Sequence, residues 1–87
     1  MDIEERDAFY DEVVEKVNSG EWTWGEAIRR LRVDVAKVNQ AKFSRMTKVS
    51  VRTLRKLEHD EANPTMETLT SIFKIFGLQL GLKRKSS

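Results

Sequence analysis

The stretch QAKFSRMTKVSVRTLRKLE, Gln40 to Glu58, decides the fold of this chain. Its apolar and small residues fall where two short helices would meet. Phe43 takes the inner face of the first helix, and Ser44 is small enough for a close crossing. Val49 plugs the turn against the core, while Leu54 and Leu57 seat the second helix. Asn39 and Ser50 each precede a helix, where a side-chain oxygen can accept from an otherwise unpaired backbone N–H. The spacing predicts a helix from about Gln40 to Thr47, a tight turn, and a second helix from Ser50 to about His59. Arg52, Arg55 and Lys56 then share one outward side of the second helix.

Two short helices set at a steep angle by such a turn let the second one enter the major groove of DNA. The outward positions Ser50, Val51, Arg52, Arg55 and Lys56 are placed to reach base edges and phosphates. An arginine can grip guanine O6 and N7 with two hydrogen bonds, and a valine can touch a thymine methyl. Gln40 and Lys42, at the start of the preceding helix, are placed to meet phosphates or an outer base.

Outward from this centre the chain reads as helices. A first helix is expected from Asp2 to about Val17, with Ile3, Tyr10, Val13, Val14 and Val17 at helical spacing and acids in its opening turns. Gly20 suits a left-handed stop. Thr23 and Glu26 make a T-x-x-E capping box for a second helix, with Trp22 stapled against Ala27. Ile28, Leu31, Val35 and Val38 continue its stripe. Trp22 and Trp24 read as core or staple residues rather than base-stacking ones, because they flank an acidic turn. After the polar loop His59–Pro64, Thr65 caps a fifth helix whose apolar positions are Leu69, Ile72, Phe73 and Phe76, closed by Gly77.

Past Gly77 the period changes to two. Leu78, Leu80 and Leu82 alternate with Gln79, Gly81 and Lys83, a strand pattern that no other segment shares. A lone strand has unpaired backbone groups. Pairing with the same strand of a second copy across a two-fold axis would satisfy them. The other reading is a tail that packs its leucines on the last helix. The expected fold is therefore all-α, five helices with a short C-terminal strand for dimerisation. Its parts are an acidic helical extension at 1–20, a DNA-binding domain at 21–77, and the strand with its basic tail at 78–87.

Composition narrows the function. Eighty-seven residues make one domain, near the size where a single core leaves a thin stability margin. There is no cysteine, and His59 is the one histidine, so disulfides, thiolate metal sites and most His-rich metal sites are out. No cofactor is expected. No apolar leader or membrane-spanning run is present, which places the chain in the cytoplasm. The net charge of +2 conceals an asymmetry. Residues 1–26 carry nine acids against two bases, and residues 27–87 carry fourteen bases against five acids. A basic body suits a polyanion. An enzyme would need converging nucleophile, base or metal groups, and none appears. The Lys83-Arg84-Lys85 tail is too short for a membrane role, and would keep paired strands soluble or graze phosphates.

Gln40, Phe43, Val49-Ser50, Arg52-Thr53-Leu54, Leu57-Glu58, Asn63-Pro64-Thr65 and Thr68-Leu69 together resemble the helix-turn-helix of the XRE family, which includes the phage Cro and λ-type repressors. The likeness runs from about Ile28 to Leu80. It implies a λ-repressor-like fold, a homodimer on double-stranded DNA, and a structural ion pair between Arg32 and Glu58. Short members ending in a strand like Gly77–Lys83 are similar to the HipB- and HigA-type antitoxins, which bind a neighbouring toxin and repress their own operon. That likeness implies a toxin partner, a HipA-like kinase or a HigB-like ribonuclease. A free-standing regulator and a protein-binding module with secondary DNA binding are the alternatives. Two positions depart from the family. Lys48 stands where a left-handed glycine is usual, and Thr47 where an apolar residue is common, which implies a wetter interior or a shifted register.

Overall fold

Each helix begins at a side chain that accepts from the backbone N–H three residues on. In the computed structural model, which describes residues 1–82, the caps are Asp2, Thr23, Asn39, Ser50 and Thr65. Their partners are the N–H groups of Glu5, Glu26, Lys42, Thr53 and Thr68, at 2.8 to 3.1 Å. The helices they open are α1 (Ile3–Asn18), α2 (Trp24–Arg30), α3 (Gln40–Thr47), α4 (Val51–Glu58) and α5 (Met66–Phe73). A π-helical turn, Leu31–Ala36, prolongs α2, and a 3-10 turn, Lys74–Phe76, prolongs α5. Gly20 and Gly77, with φ of 82° and 72°, supply the left-handed stops that end the first and last elements.

One core serves all five helices. Ala27, Ile28, Leu31, Phe43, Leu54 and Ile72 are fully buried, with Val13, Leu57, Leu69, Phe73 and Phe76 nearly so. The fifth-helix stripe Leu69, Ile72, Phe73 and Phe76 is buried throughout, as its i, i+3, i+4, i+7 spacing predicts. The aromatic rings link the layers: Tyr10 meets Phe76 edge-on at 6.4 Å, and Phe76 meets Phe43 at 6.0 Å.

The first helix docks on this core by a face that differs from the expected one. Val13 is buried, and Phe9, Tyr10 and Val17 pack around it, giving an i, i+1, i+4, i+8 face. Ile3 is 77% exposed and Val14 46% exposed. Ile3 lies a full turn and a half before the first packed residue, and Val14 sits about 100° round the helix from Val13, facing outward.

The second helix also departs from the expected regular period. Its capping box is half formed: Thr23 accepts from Glu26, but the Glu26 carboxylate turns to Arg30 at 2.7 Å. Arg30 in turn lies over the Trp22 ring, 4.3 Å from its centroid. Beyond Arg30 the helix widens into the π turn. The extra residue per turn takes Val35 off the 3.6-residue stripe, and Val38 falls past the end of the helix; both are half-buried where a 3.6 period predicts full burial. Lys37 then ends the element in the left-handed region, φ 56°.

Leu78 and Leu80 are half-buried against the core, while Leu82 is fully exposed. Among the described residues there is no strand, and within one chain the segment 78–82 has no sheet partner. Leu78 donates its N–H to the Phe73 carbonyl, which extends the turn closing α5. Lys83, Arg84 and Lys85 lie outside the described residues.

Candidate nucleic-acid interface

The α3–turn–α4 unit forms at the residues that predicted it. The turn is Lys48-Val49-Ser50. Lys48 adopts the left-handed conformation, φ 61° and ψ 27°, that the family usually gives to glycine. For a side-chain-bearing residue this costs roughly 1 kcal/mol. Thr47 does not loosen the interior and does not shift the register. It is buried, its hydroxyl donates to the Phe43 carbonyl at 2.8 Å, and its oxygen accepts from the Val49 N–H at 3.3 Å. Its methyl group fills the place of an apolar side chain while the hydroxyl is satisfied within its own turn. Val49 is buried beneath the turn as a plug.

A buried carboxylate ties three elements together. Glu58, its side chain 2% exposed, receives two hydrogen bonds from Arg32: Nε to Oε2 at 2.8 Å and Nη2 to Oε1 at 2.9 Å. The third guanidinium nitrogen, Nη1, donates to the Val38 carbonyl at 2.9 Å, closing the loop after the π turn. Gln40 donates its amide to Glu58 Oε1 at 3.2 Å. The ion pair implied by the family likeness is therefore present, fork to fork. Hydrogen bonding to Glu58 holds the Arg32 guanidinium above its ordinary pKa despite partial burial. Its stabilising charge is therefore present below the ordinary arginine value and is lost only as pH climbs through a still higher one.

With its inner side anchored, α4 turns Arg52, Arg55 and Lys56 into solvent, at i, i+3 and i+4 on one face. Val51 is half-buried at the N-terminal end of that face. Ser50 is exposed, but its hydroxyl caps the helix and donates to Thr53 Oγ1 at 2.9 Å, so its first role is structural. Gln40 is half-buried with its amide on Glu58, which makes it a link between α3 and α4 as well as a surface group. Lys42 is exposed as expected.

Two further cations join this surface beyond the expected contact residues. Arg45 lies three residues beyond Lys42 on α3, and Lys48 marks the turn, both exposed. The i, i+3 spacing of Lys42 and Arg45 is the signal that could have found the first of them. From Gln40 to Glu58 the unit holds six bases, none of them in an ion pair among the described residues, against the single buried acid Glu58. The overlooked structural residue is Gly25. It sits in the first turn of α2 against α4, where a Cβ would run into the Leu57 carbonyl oxygen and lie 2.6 Å from Asp60 Oδ1. A glycine inside a helix is unfavourable by about 1 kcal/mol relative to alanine, and that local disadvantage signals the close approach.

A helix with an exposed basic face, standing on a rigid, polar-locked base after a three-residue turn, defines a helix-turn-helix DNA-binding domain. The helix-turn-helix family model matches residues 28–82, and the chain belongs to the XRE-type helix-turn-helix family. It is thereby a DNA-binding transcriptional regulator in class. No curated protein and no solved structure gives a significant match. Among the described residues no helix is long and apolar enough to cross a membrane.

Proposed function

We propose that the protein is a sequence-specific, cytoplasmic repressor that binds a palindromic operator as a homodimer, and that it serves as antitoxin and autoregulator of its own operon. The observation that carries the DNA-reading part is the exposed cationic face of α4, Arg52, Arg55 and Lys56, unpaired among the described residues and held out by an apolar inner side. Arg52 and Arg55 reach guanine edges and Val51 a thymine methyl. Gln40, Lys42, Ser50 and Lys56 hold the phosphates, joined by Arg45 and Lys48. Residues 21–77 make up this DNA-binding unit. Leu78, Leu80 and Leu82 pair with the same segment of a second copy, which sets the half-site centres roughly 34 Å apart.

Selection of bound duplexes from random DNA tests the reading in one step. An inverted repeat with half-sites one turn apart is the expected product. An unstructured pool with no enriched sequence would refute sequence-specific recognition. The antitoxin part rests on the likeness to HipB- and HigA-type proteins and on the alternating C-terminal segment. Co-purification with the product of an adjoining reading frame supports it, and an isolated gene favours a free-standing regulator.

A further inference from the structure

The C-terminal end of α4 is held by contacts from outside the matched family region. Asp60 follows α4 in the left-handed conformation, φ 57°, and its Oδ2 accepts from the Thr23 hydroxyl at 3.0 Å. Thr23 is also the cap of α2, so the Asp60 carboxylate sits at the positive end of that helix. Two residues on, Gly25 allows α2 to touch the backbone of α4 at Leu57 and the carboxylate of Asp60. A side chain at residue 25 would push the two helices apart.

We infer that the Thr23–Gly25–Asp60 contact is a positioning clamp, with Asp60 the positioning residue that sets the tilt of the groove-reading helix and hence its base specificity. The inference rests on the DNA-reading role proposed above. A rod of eight residues inserted in a groove is aimed by its two ends. The N-terminal end is fixed by Ser50 and Val49, and the Arg32–Glu58–Gln40 network holds one side of the C-terminal end. The clamp holds the same end from α2, at Leu57 and Asp60. If it is released, α4 can pivot about Glu58, and the arginine tips move relative to the base edges. Phosphate contacts tolerate such a shift better than bidentate base contacts do, because they carry no fixed register with a base.

Two substitutions at one position separate aim from charge and from fold. Asp60→Asn keeps an acceptor for Thr23 and tolerates the left-handed backbone. Asp60→Gly tolerates that backbone too but has no acceptor. Both remove one negative charge, so any general gain in DNA affinity is common to them. The measurement is the ratio of affinity for the selected operator to affinity for random duplex, taken where circular dichroism finds both variants fully folded. Asp60→Asn is expected to keep the wild-type ratio, and Asp60→Gly to lose about tenfold, the size of a mismatched base pair. Equal ratios in the two variants would overturn the clamp while leaving the DNA-reading role intact. A wild-type protein with no preference for any duplex would overturn that role and the clamp with it.

Discussion

Thr47 illustrates how one side chain can break a family habit without breaking the fold. Its methyl group occupies the apolar site, and its hydroxyl bridges the Phe43 carbonyl and the Val49 N–H. Thr47→Val keeps the volume and removes the bridge, leaving a buried N–H unpaired. Denaturant unfolding should register a loss of about 1 kcal/mol; an unchanged midpoint would mean that the bridge stabilises nothing. On the outer side the arginines and lysines divide their work. Arg52→Ala is expected to cost about 1–3 kcal/mol on the operator and to relax preference at one base position, whereas Lys42→Ala weakens all duplexes alike. Gel shifts on operator and random DNA distinguish the two, and equal losses for Arg52→Ala on both would contradict its assignment to base edges.

At the scale of elements, the α3–α4 unit depends on the carboxylate of Glu58. Glu58→Ala leaves the Arg32 guanidinium without its partner in a mostly buried site, its side chain 13% exposed. The expected loss is about 3 kcal/mol by urea denaturation, and a change under about 1 kcal/mol would show that Arg32 relaxes to solvent. Helix starts were legible in the sequence because a capping side chain is a local, chemical signal: Thr23, Asn39, Ser50 and Thr65 were all readable. The inner faces of α4 and α5 were legible for the same reason, since Leu54, Leu57, Leu69 and Ile72 follow a fixed period. What was not legible depends on contacts between elements. The π turn at Leu31–Ala36 breaks the period that the apolar residues suggest. Phe9 displaces Ile3 and Val14 on α1 because only the core's position decides which face docks. Gly25 and Asp60 sit far apart in sequence, and Gln40 turns its amide toward Glu58 although the motif alone points it outward.

Across the whole molecule the acids and bases segregate. The acidic α1 packs through Phe9, Tyr10, Val13 and Val17 and leaves Arg52 and Arg55 uncovered, so the leader does not shield the proposed DNA face. The proposed dimer adds a second face, and affinity should then fall about thousandfold between about 50 and about 200 mM salt. Leu82 is fully exposed in the single chain. Leu82→Asp therefore costs the monomer little, yet it should abolish the paired segment and give a monomer in sedimentation equilibrium. A dimer that persists would place the two-fold contact elsewhere. Entry of α4 into the major groove is read out by guanine N7 methylation interference on the selected operator. Methylation at one or two guanines per half-site should block the wild-type protein, and one of these positions should become indifferent in Arg52→Ala. Interference confined to adenine N3 in the minor groove, or a pattern unchanged in Arg52→Ala, would contradict it.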